Sequence, residues 1–329
     1  MQTSRRAFLF GRRAPRTPWD HFCQRMARSC AGALRDGGEA GDAAHASLAP
    51  AREADMLHAR TLCREYGVTL ALAGPGPQRP GPGRTLWARP GPGLDGLARL
   101  PGPAPAWRVG AGCTLDALRA AGLPQFEGLP GDMTVAAWLA GPASRPGPPG
   151  RGLAPGLLGA AVLLGDGTQE SLGPFGAADG RPLRSATVQR LVSALFELCA
   201  TPDAALCLAQ PAWPARFRLD ALRPADPGDV NLARLLAGHG GALAWVESVD
   251  LAPAAVGGRA QDAGDAGKSG GSAGAGKAGR IDGDDAAAAH ARDGEAPADP
   301  AVRLAAGRLD LRVKALFDPF GLFPESGNA

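Results

Sequence analysis

One long segment of this chain lacks the residues needed to form a hydrophobic core, so the core must be built from the residues on either side of it. Between Ala252 and about Pro300 the composition falls to Gly, Ala, Asp, Ser and Lys, with no aromatic residue and almost no large aliphatic one. Such a segment cannot bury enough apolar surface to offset the entropy lost on ordering. We therefore expect a disordered insertion over 252–300, a folded body before it, and a tail over 301–329 that packs back onto the body.

The composition of the rest excludes several classes of protein. Of 329 residues, 45% are hydrophobic, which is enough for a sizeable core. The net charge is only +3, and no basic stripe alternates with aromatic residues, so a nucleic acid is not a favoured partner. No run of about 18 apolar residues exists, so no transmembrane helix is predicted. The six cysteines form no C-x-x-C pair, which favours buried free thiols over a metal or iron–sulfur site.

The N-terminus carries a twin-arginine-like stretch. Arg5 and Arg6 follow Thr3-Ser4, but the apolar stretch after them is only Ala7 to Phe10, and more arginines come next. An export signal needs an apolar region of about 7–15 residues. We therefore expect a short basic arm on a cytoplasmic protein.

The spacing of apolar residues in the body predicts an α+β fold. Helical spacing of apolar residues from Trp19 to Arg35 predicts an N-terminal helix that ends near Gly37-Gly38, and Gly37 to Ser47 is predicted to be a loop. Residues 1–47 are thus assigned to a basic arm and helix, and 48–251 to the main domain. There, a helix over Arg52–Tyr66 ends at Gly67 and leads into a strand and a Gly-rich loop. Further helices and strands follow up to Leu251, including a hairpin turn at Gly165-Asp166-Gly167.

Five segments carry a resemblance to a known family. Three lie in the first half of the body, at 57–78, 107–118 and 129–167, and one spans 232–249. The tail from Val313 to Phe323 matches a "K-x-x-F-D-P-x-G-x-F" pattern. In this order they resemble the flavoprotein superfamily of vanillyl-alcohol oxidase and p-cresol methylhydroxylase. Within it the chain most resembles the FAD-binding subunit of glycolate oxidase.

The resemblance implies an α+β, two-subdomain FAD-binding fold of the p-cresol methylhydroxylase type. The interval that holds the family's cap is mostly the low-complexity insertion, so we expect a reduced or absent cap. The implied pyrophosphate loops contain Ala73, Gly74, Pro75, Gly76, Pro77, Gln78, Pro130, Asp132, Met133, Thr134, Ala136, Ala137 and Ala140. The adenine side is expected at Trp245 and Val246. Residues 73–78 and 129–140 contain no His or Cys, so FAD is expected to bind non-covalently.

Two departures from the family pattern keep a second interpretation open. Pro75 and Pro77 have no N–H to offer a phosphate, and Ala136-Ala137 replace the family's Gly-Gly pair. The first hypothesis is an FAD-dependent subunit resembling a glycolate or 2-hydroxy-acid dehydrogenase, which passes hydride from a small 2-hydroxy acid to flavin. The alternative is a degenerate flavoprotein fold without catalysis, acting as an assembly or interaction subunit. Either way we expect a partner oxidoreductase subunit.

No catalytic residue is assigned. His239 lies beside Gly240-Gly241, where it is a candidate for titration near neutral pH. A loop histidine that only hydrogen-bonds the backbone is the simpler interpretation. No metal site is predicted.

Overall fold

The computed structural model describes residues 17–40, 43–74, 83–145, 149–150, 154–176, 182–224, 230–254 and 299–325. The twin-arginine stretch and nearly all of the low-complexity segment lie outside these ranges. The helices are α1 (Pro18–Ser29), α2 (Glu53–Tyr66), α3 (Leu115–Ala120), α4 (Val135–Ala140), α5 (Ala186–Cys199), α6 (Pro202–Leu208) and α7 (Pro300–Phe317). The strands are β1 (Ala33–Ala40), β2 (Ala43–Ala49), β3 (Thr69–Leu72), β4 (Arg84–Ala88), β5 (Leu97–Arg99), β6 (Trp107–Gly110), β7 (Leu157–Leu163), β8 (Gln169–Leu172) and β9 (Trp245–Leu251).

These strands form two sheets. The first has the order β1-β2-β4-β3, in which β2, β4 and β3 run parallel and β1 is antiparallel to β2. The second has the order β5-β6-β9-β7-β8 and is antiparallel throughout. The α+β class predicted from the sequence is thereby confirmed. The reduced or absent cap stays a prediction.

Each sheet has its own core. The first sheet packs against α1 and α2 through Trp19, Phe22, Met26, Met56 and Leu86, all almost fully buried. The second sheet packs against α5, α7 and the short helices around a larger core. Leu163 and Trp245, from the second sheet, belong to the first core, so the two sheets share apolar contacts.

The described residues between 30 and 49 differ from their prediction. Gly37 to Ser47 was expected to be a loop, but β1 and β2 form an antiparallel pair there, with Ala44, Ala46 and Leu48 buried. The helix ends at Ser29 rather than near Gly37-Gly38, because the chain turns at Cys30 into β1. The boundary expected between residues 47 and 48 falls inside β2.

The C-terminal tail closes the first sheet. Lys314 donates to the carbonyls of Ala242 and Phe323, at 2.8 and 3.1 Å, and pairs with Asp318 at 2.6 Å, all in the interior. Asp318 also accepts the N–H groups of Leu322 and Phe323. The Leu322 carbonyl in turn accepts the N–H of Leu70 on the edge strand β3. The Lys and Asp of the tail motif therefore fold the last residues back onto the sheet.

The described helices were compared with the length and apolar character that a membrane span needs. None of them alone is long and apolar enough to cross a membrane; α5 and α6 reach that length only as a pair bent by 70°. Much of their apolar surface lies in the second core, including Val188, Leu195, Ala204 and Cys207.

Candidate functional site

A cavity of about 380 Å³ lies beyond the carboxyl ends of β3 and β4, facing the N-termini of α3 and α4. In open α/β arrangements this edge of the sheet is where ligands bind, and the volume is in the usual range for cofactor sites, about 300–1,000 Å³. It is lined by Ala73, Gly74, Arg89, Pro90, Gly91, Pro92, Asp95, Leu97, Gly112, Cys113, Thr114, Ala117, Asp132, Met133, Thr134 and Ala137. We call it the first cavity.

Two threonines set the position of the helices at this cavity. Thr114 and Thr134 face each other across an isolated antiparallel bridge. Each is the N-cap of its helix: the Thr114 hydroxyl accepts from Ala117 N–H, and the Thr134 hydroxyl accepts from Ala137 N–H. Both hydroxyls keep a proton to donate toward the cavity.

The remaining N–H groups of these helix ends are already used inside the protein. Leu115 donates to the Met133 carbonyl and Val135 to the Cys113 carbonyl, while Ala136 donates to Ala111. The helix termini therefore present few free donors to a phosphate. Among the side chains of the lining, the two hydroxyls and the guanidinium of Arg89 can donate hydrogen bonds to one.

A close backbone contact shapes the wall of the first cavity. A Cβ on Gly112 would lie 2.2 Å from the Gly91 carbonyl oxygen, so only glycine fits at 112. At Gly91 itself a Cβ would meet no atom within 4 Å. The loop after β4 is thus fixed against the strand–helix turn after β6, and the space beside Gly91 stays open.

The charges at the first cavity are mixed. Arg89 is positive, whereas Asp95 and Asp132 are negative, and all three are exposed. Cys113 is almost fully buried in the wall. Burial, and then the charge of Asp95, raise the pKa of its thiol, which disfavours the reactive thiolate. Cys113 was not among the predicted site residues.

The structure brings together some of the predicted loop residues. Ala73, Gly74, Asp132, Met133, Thr134 and Ala137 line the first cavity. Pro130 is exposed in the turn before them, and Ala140 is buried at the end of α4. Pro75, Gly76, Pro77 and Gln78 lie outside the described residues. The assignment of these residues to a cofactor stays a prediction.

Ala136, Trp245 and Val246 line a different space. It is a second cavity of only about 10 Å³, formed with Leu70, Leu72, His239, Gly241, Ala244 and Phe323. Trp245 is 4% exposed and packs in the first core. A space of that size holds about one water molecule. Ala136 and Ala137, neighbours on α4, therefore face two cavities of very different size.

His239 at the second cavity differs from both sequence interpretations. It is 1% exposed, and neither ring nitrogen has a hydrogen-bond partner in the described part of the chain. Burial, with the charge of Arg216 added, lowers its pKa to about 3. The expectation of titration near neutral pH is therefore wrong, and so is that of a side chain bonded to the backbone. It cannot act as a base exchanging protons with solvent.

Sequence reasoning missed Arg89, Asp95 and Thr114. A signal existed for Thr114, since a threonine immediately before Leu115 to Leu118 is a typical N-cap. Arg89 and Asp95 come from a Pro- and Gly-rich stretch between two strands. Nothing local in that stretch indicates that it faces α3 and α4.

The resemblance implies FAD, and the two cavities differ in how well they fit the parts of FAD expected there. The first cavity fits a pyrophosphate, because it offers the hydroxyls of Thr114 and Thr134, the cation of Arg89 and open space beside Gly91. The second cavity does not fit the adenine expected at Trp245 and Val246, because the indole and its neighbours fill that position. The fit is thus limited to the phosphate end.

Comparison with known proteins gives structural likenesses at low identity. No protein-family model matches the chain, and no curated protein does. Among solved structures, BBE-like 1 of Physcomitrella patens has 14% identity and a TM-score of 0.41 over 70% of this chain and 44% of that one. 4-ethylphenol oxidase from Gulosibacter chungangensis has 12% identity and a TM-score of 0.42 over 71% of this chain and 42% of that one.

A third likeness is to glucooligosaccharide oxidase from Acremonium strictum, a protein described with a 6-S-cysteinyl, 8α-N1-histidyl FAD. It shares 14% identity with a TM-score of 0.39, over 70% of this chain and 42% of that one. The present chain therefore spans less than half the length of each of these three proteins.

Proposed function

We propose that this chain is a subunit of an FAD-linked oxidoreductase and holds the pyrophosphate of a non-covalently bound FAD in the first cavity. One observation carries the proposal. The loop after β3 and the turn before α4, which are far apart in sequence and were both expected to meet the pyrophosphate, meet at one cavity beyond the ends of two parallel strands.

The residues of this chain bind and orient under this proposal. Thr114 and Thr134 donate hydroxyl hydrogen bonds to phosphate oxygens, and Arg89 supplies the positive charge. Flavin, when bound, supplies the hydride-accepting chemistry. The resemblance to the FAD-binding subunit of glycolate oxidase suggests a small 2-hydroxy acid as the substrate.

A partner subunit belongs to the same proposal. The described lining of the first cavity contains no histidine, and its two carboxylates, Asp95 and Asp132, are exposed. We therefore assign proton abstraction from substrate to a partner oxidoreductase subunit.

The second candidate is an assembly subunit that no longer holds FAD. A specific observation favours it: the position expected for adenine is filled by Trp245, in the first core beside Leu163 and Phe323. In that case the fold is retained for its outer surface.

Flavin content separates the two candidates. The full chain is purified, its flavin-to-protein ratio is measured by absorbance, and the flavin is released by denaturation. The first candidate predicts bound, releasable FAD that is lost in Ala137→Leu, which narrows the first cavity. Ala120→Leu, on an exposed position of α3, is the matched control. A colourless protein that takes up no added FAD would reject the first candidate in favour of the second, and flavin that stays attached after denaturation would contradict non-covalent binding.

A further inference from the structure

The outer face of helix α7 exposes two leucines. Its inner side, with Ala305, Leu309 and Val313, packs into the second core. On the outer side Leu304 and Leu311 are 63% and 66% exposed, which is more than any other large hydrophobic residue in the described chain. A spacing of seven places these two leucines on the same side of the helix, two turns apart.

A glycine lies between the two leucines. A Cβ on Gly307 would meet no atom within 4 Å, so the helix is narrow and open there. A helix laid across this point can approach α7 closely, with its side chains between the leucines. The outer face is thus shaped like one half of a helix–helix contact.

The exposed charges that α7 itself carries beside this face are all positive. Arg303, Arg308 and Arg312 are all exposed on α7. The helix has a single carboxylate, Asp310, which is turned to the N–H groups of Arg216 and Phe217. Asp203 of α6 pairs with Arg308 and also interacts electrostatically with Arg312. Arg303 and Arg312 have no hydrogen bond or salt bridge within the described residues.

We propose that the outer face of α7 docks an amphipathic helix of another protein, whose apolar residues cover Leu304 and Leu311 and whose Asp or Glu residues meet Arg303 and Arg312. A second copy of this chain is a poor occupant, because an isologous contact would bring the same arginines together. The proposal deepens the functional one by locating the partner contact. It rests on the chain being a subunit and not on its holding FAD.

The test uses the full chain in its native cells. A photo-crosslinking amino acid is introduced at position 311, and in a second strain at Leu158 of β7, which is also exposed. We expect an adduct with another protein at 311 only, and the crosslinked segment should carry Asp or Glu at helical spacing. Charge reversal by Arg303→Glu with Arg312→Glu should reduce the adduct at least several-fold.

Each other outcome overturns the docking proposal. These outcomes are no adduct at 311, an adduct with a second copy or with 255–298 of this chain, an adduct with a segment lacking carboxylates, and an adduct insensitive to charge reversal. The charge-reversed chain must melt at the wild-type temperature, and Arg303→Gln with Arg312→Gln replaces it if it does not. Flavin content measured on the same samples is independent, so colourless protein with the expected adduct removes the FAD proposal and leaves this one standing.

Discussion

The first and second cavities lie on neighbouring residues of α4, yet one is open and the other is filled. Ala137 faces about 380 Å³ and Ala136 about 10 Å³. The open one is walled by loops held through capping hydroxyls and a glycine–carbonyl contact. The filled one is walled by core side chains, among them Trp245 and Phe323. The difference shows that small residues beside a loop make room for a ligand only where no large side chain enters from another element.

The two cavities also differ in how their polar groups are satisfied. Around the first, the threonine hydroxyls and helix N–H groups have partners. At the second, both nitrogens of His239 are buried without a hydrogen-bond partner among the described residues. Such a group costs about 1–3 kcal/mol. The side chains around the second cavity are therefore stabilised by apolar packing, which offsets the cost of burying His239.

The largest effect is expected at the filled cavity. Trp245→Ala removes a buried indole from the first core and should lower the free energy of unfolding by about 3–5 kcal/mol, measured by urea denaturation. Leu97→Ala, on the exposed wall of the first cavity, should change it by less than about 0.5 kcal/mol. Equal effects at the two positions would show that the cavities are not distinct in packing.

The next effect is a dependence of stability on pH. The pKa of His239 is about 3 when folded, against 6.5 for the free side chain. Between these values the unfolded chain binds more protons, so stability is full above about pH 6.5 and falls as the pH is lowered, by at most about 1.4 kcal/mol per pH unit.

His239→Leu should remove this part of the pH dependence and raise stability at neutral pH by about 1 kcal/mol, because an unsatisfied polar group leaves the core. His58→Leu, at an exposed position of α2, is the control. An unchanged slope between pH 5 and 6.5, measured by urea denaturation, would place the histidine in a solvated setting.

A smaller effect is expected at the wall of the first cavity. Thr134→Val removes the N-cap of α4 and should cost about 1 kcal/mol, whereas Thr134→Ser keeps the capping oxygen and should cost less. Thr61→Val serves as the control, because the Thr61 hydroxyl only bonds the Leu57 carbonyl within α2. Thermal melting ranks the variants; if Ser and Val cost the same, the hydroxyl does not cap the helix.

The smallest effect concerns charge. Asp95→Asn combined with Asp132→Asn makes the mouth of the first cavity net positive, which should tighten binding of ADP a few-fold at low salt and less at high salt. Arg89→Gln should weaken it. Calorimetric titration of ADP measures both changes in affinity. Equal affinities for the wild type and the two variants would reject the assignment of the phosphate to this cavity.

Elements with strong local signals were predicted well. Gly67 ends α2 in the left-handed region with φ of +62°, and Gly167 in the turn between β7 and β8 has φ of +94°. Both conformations favour glycine. The antiparallel pair of β1 and β2 was missed because its buried positions include Ala44 and Ala46, whose small side chains carry little hydrophobic signal.

The site was only partly predictable for a related reason. Gly74 and Thr134 stand next to recognisable strands and helices, so their place beyond β3 and at α4 followed from local patterns. The filling of the second cavity depends on Trp245 meeting Phe323 from the distant tail. Local sequence patterns do not indicate such contacts. They do not indicate the burial of His239 at the same cavity either.

The contact between the tail and β3 also bears on how this protein is made. The N–H of Leu70 is bonded to the carbonyl of Leu322, which the ribosome makes much later than Leu70. Synthesis proceeds at about 5–20 residues per second, so the edge of the first sheet waits many seconds for its partner. Throughout that interval the nascent chain carries an open strand edge, the kind of surface that chaperones bind and that seeds aggregation.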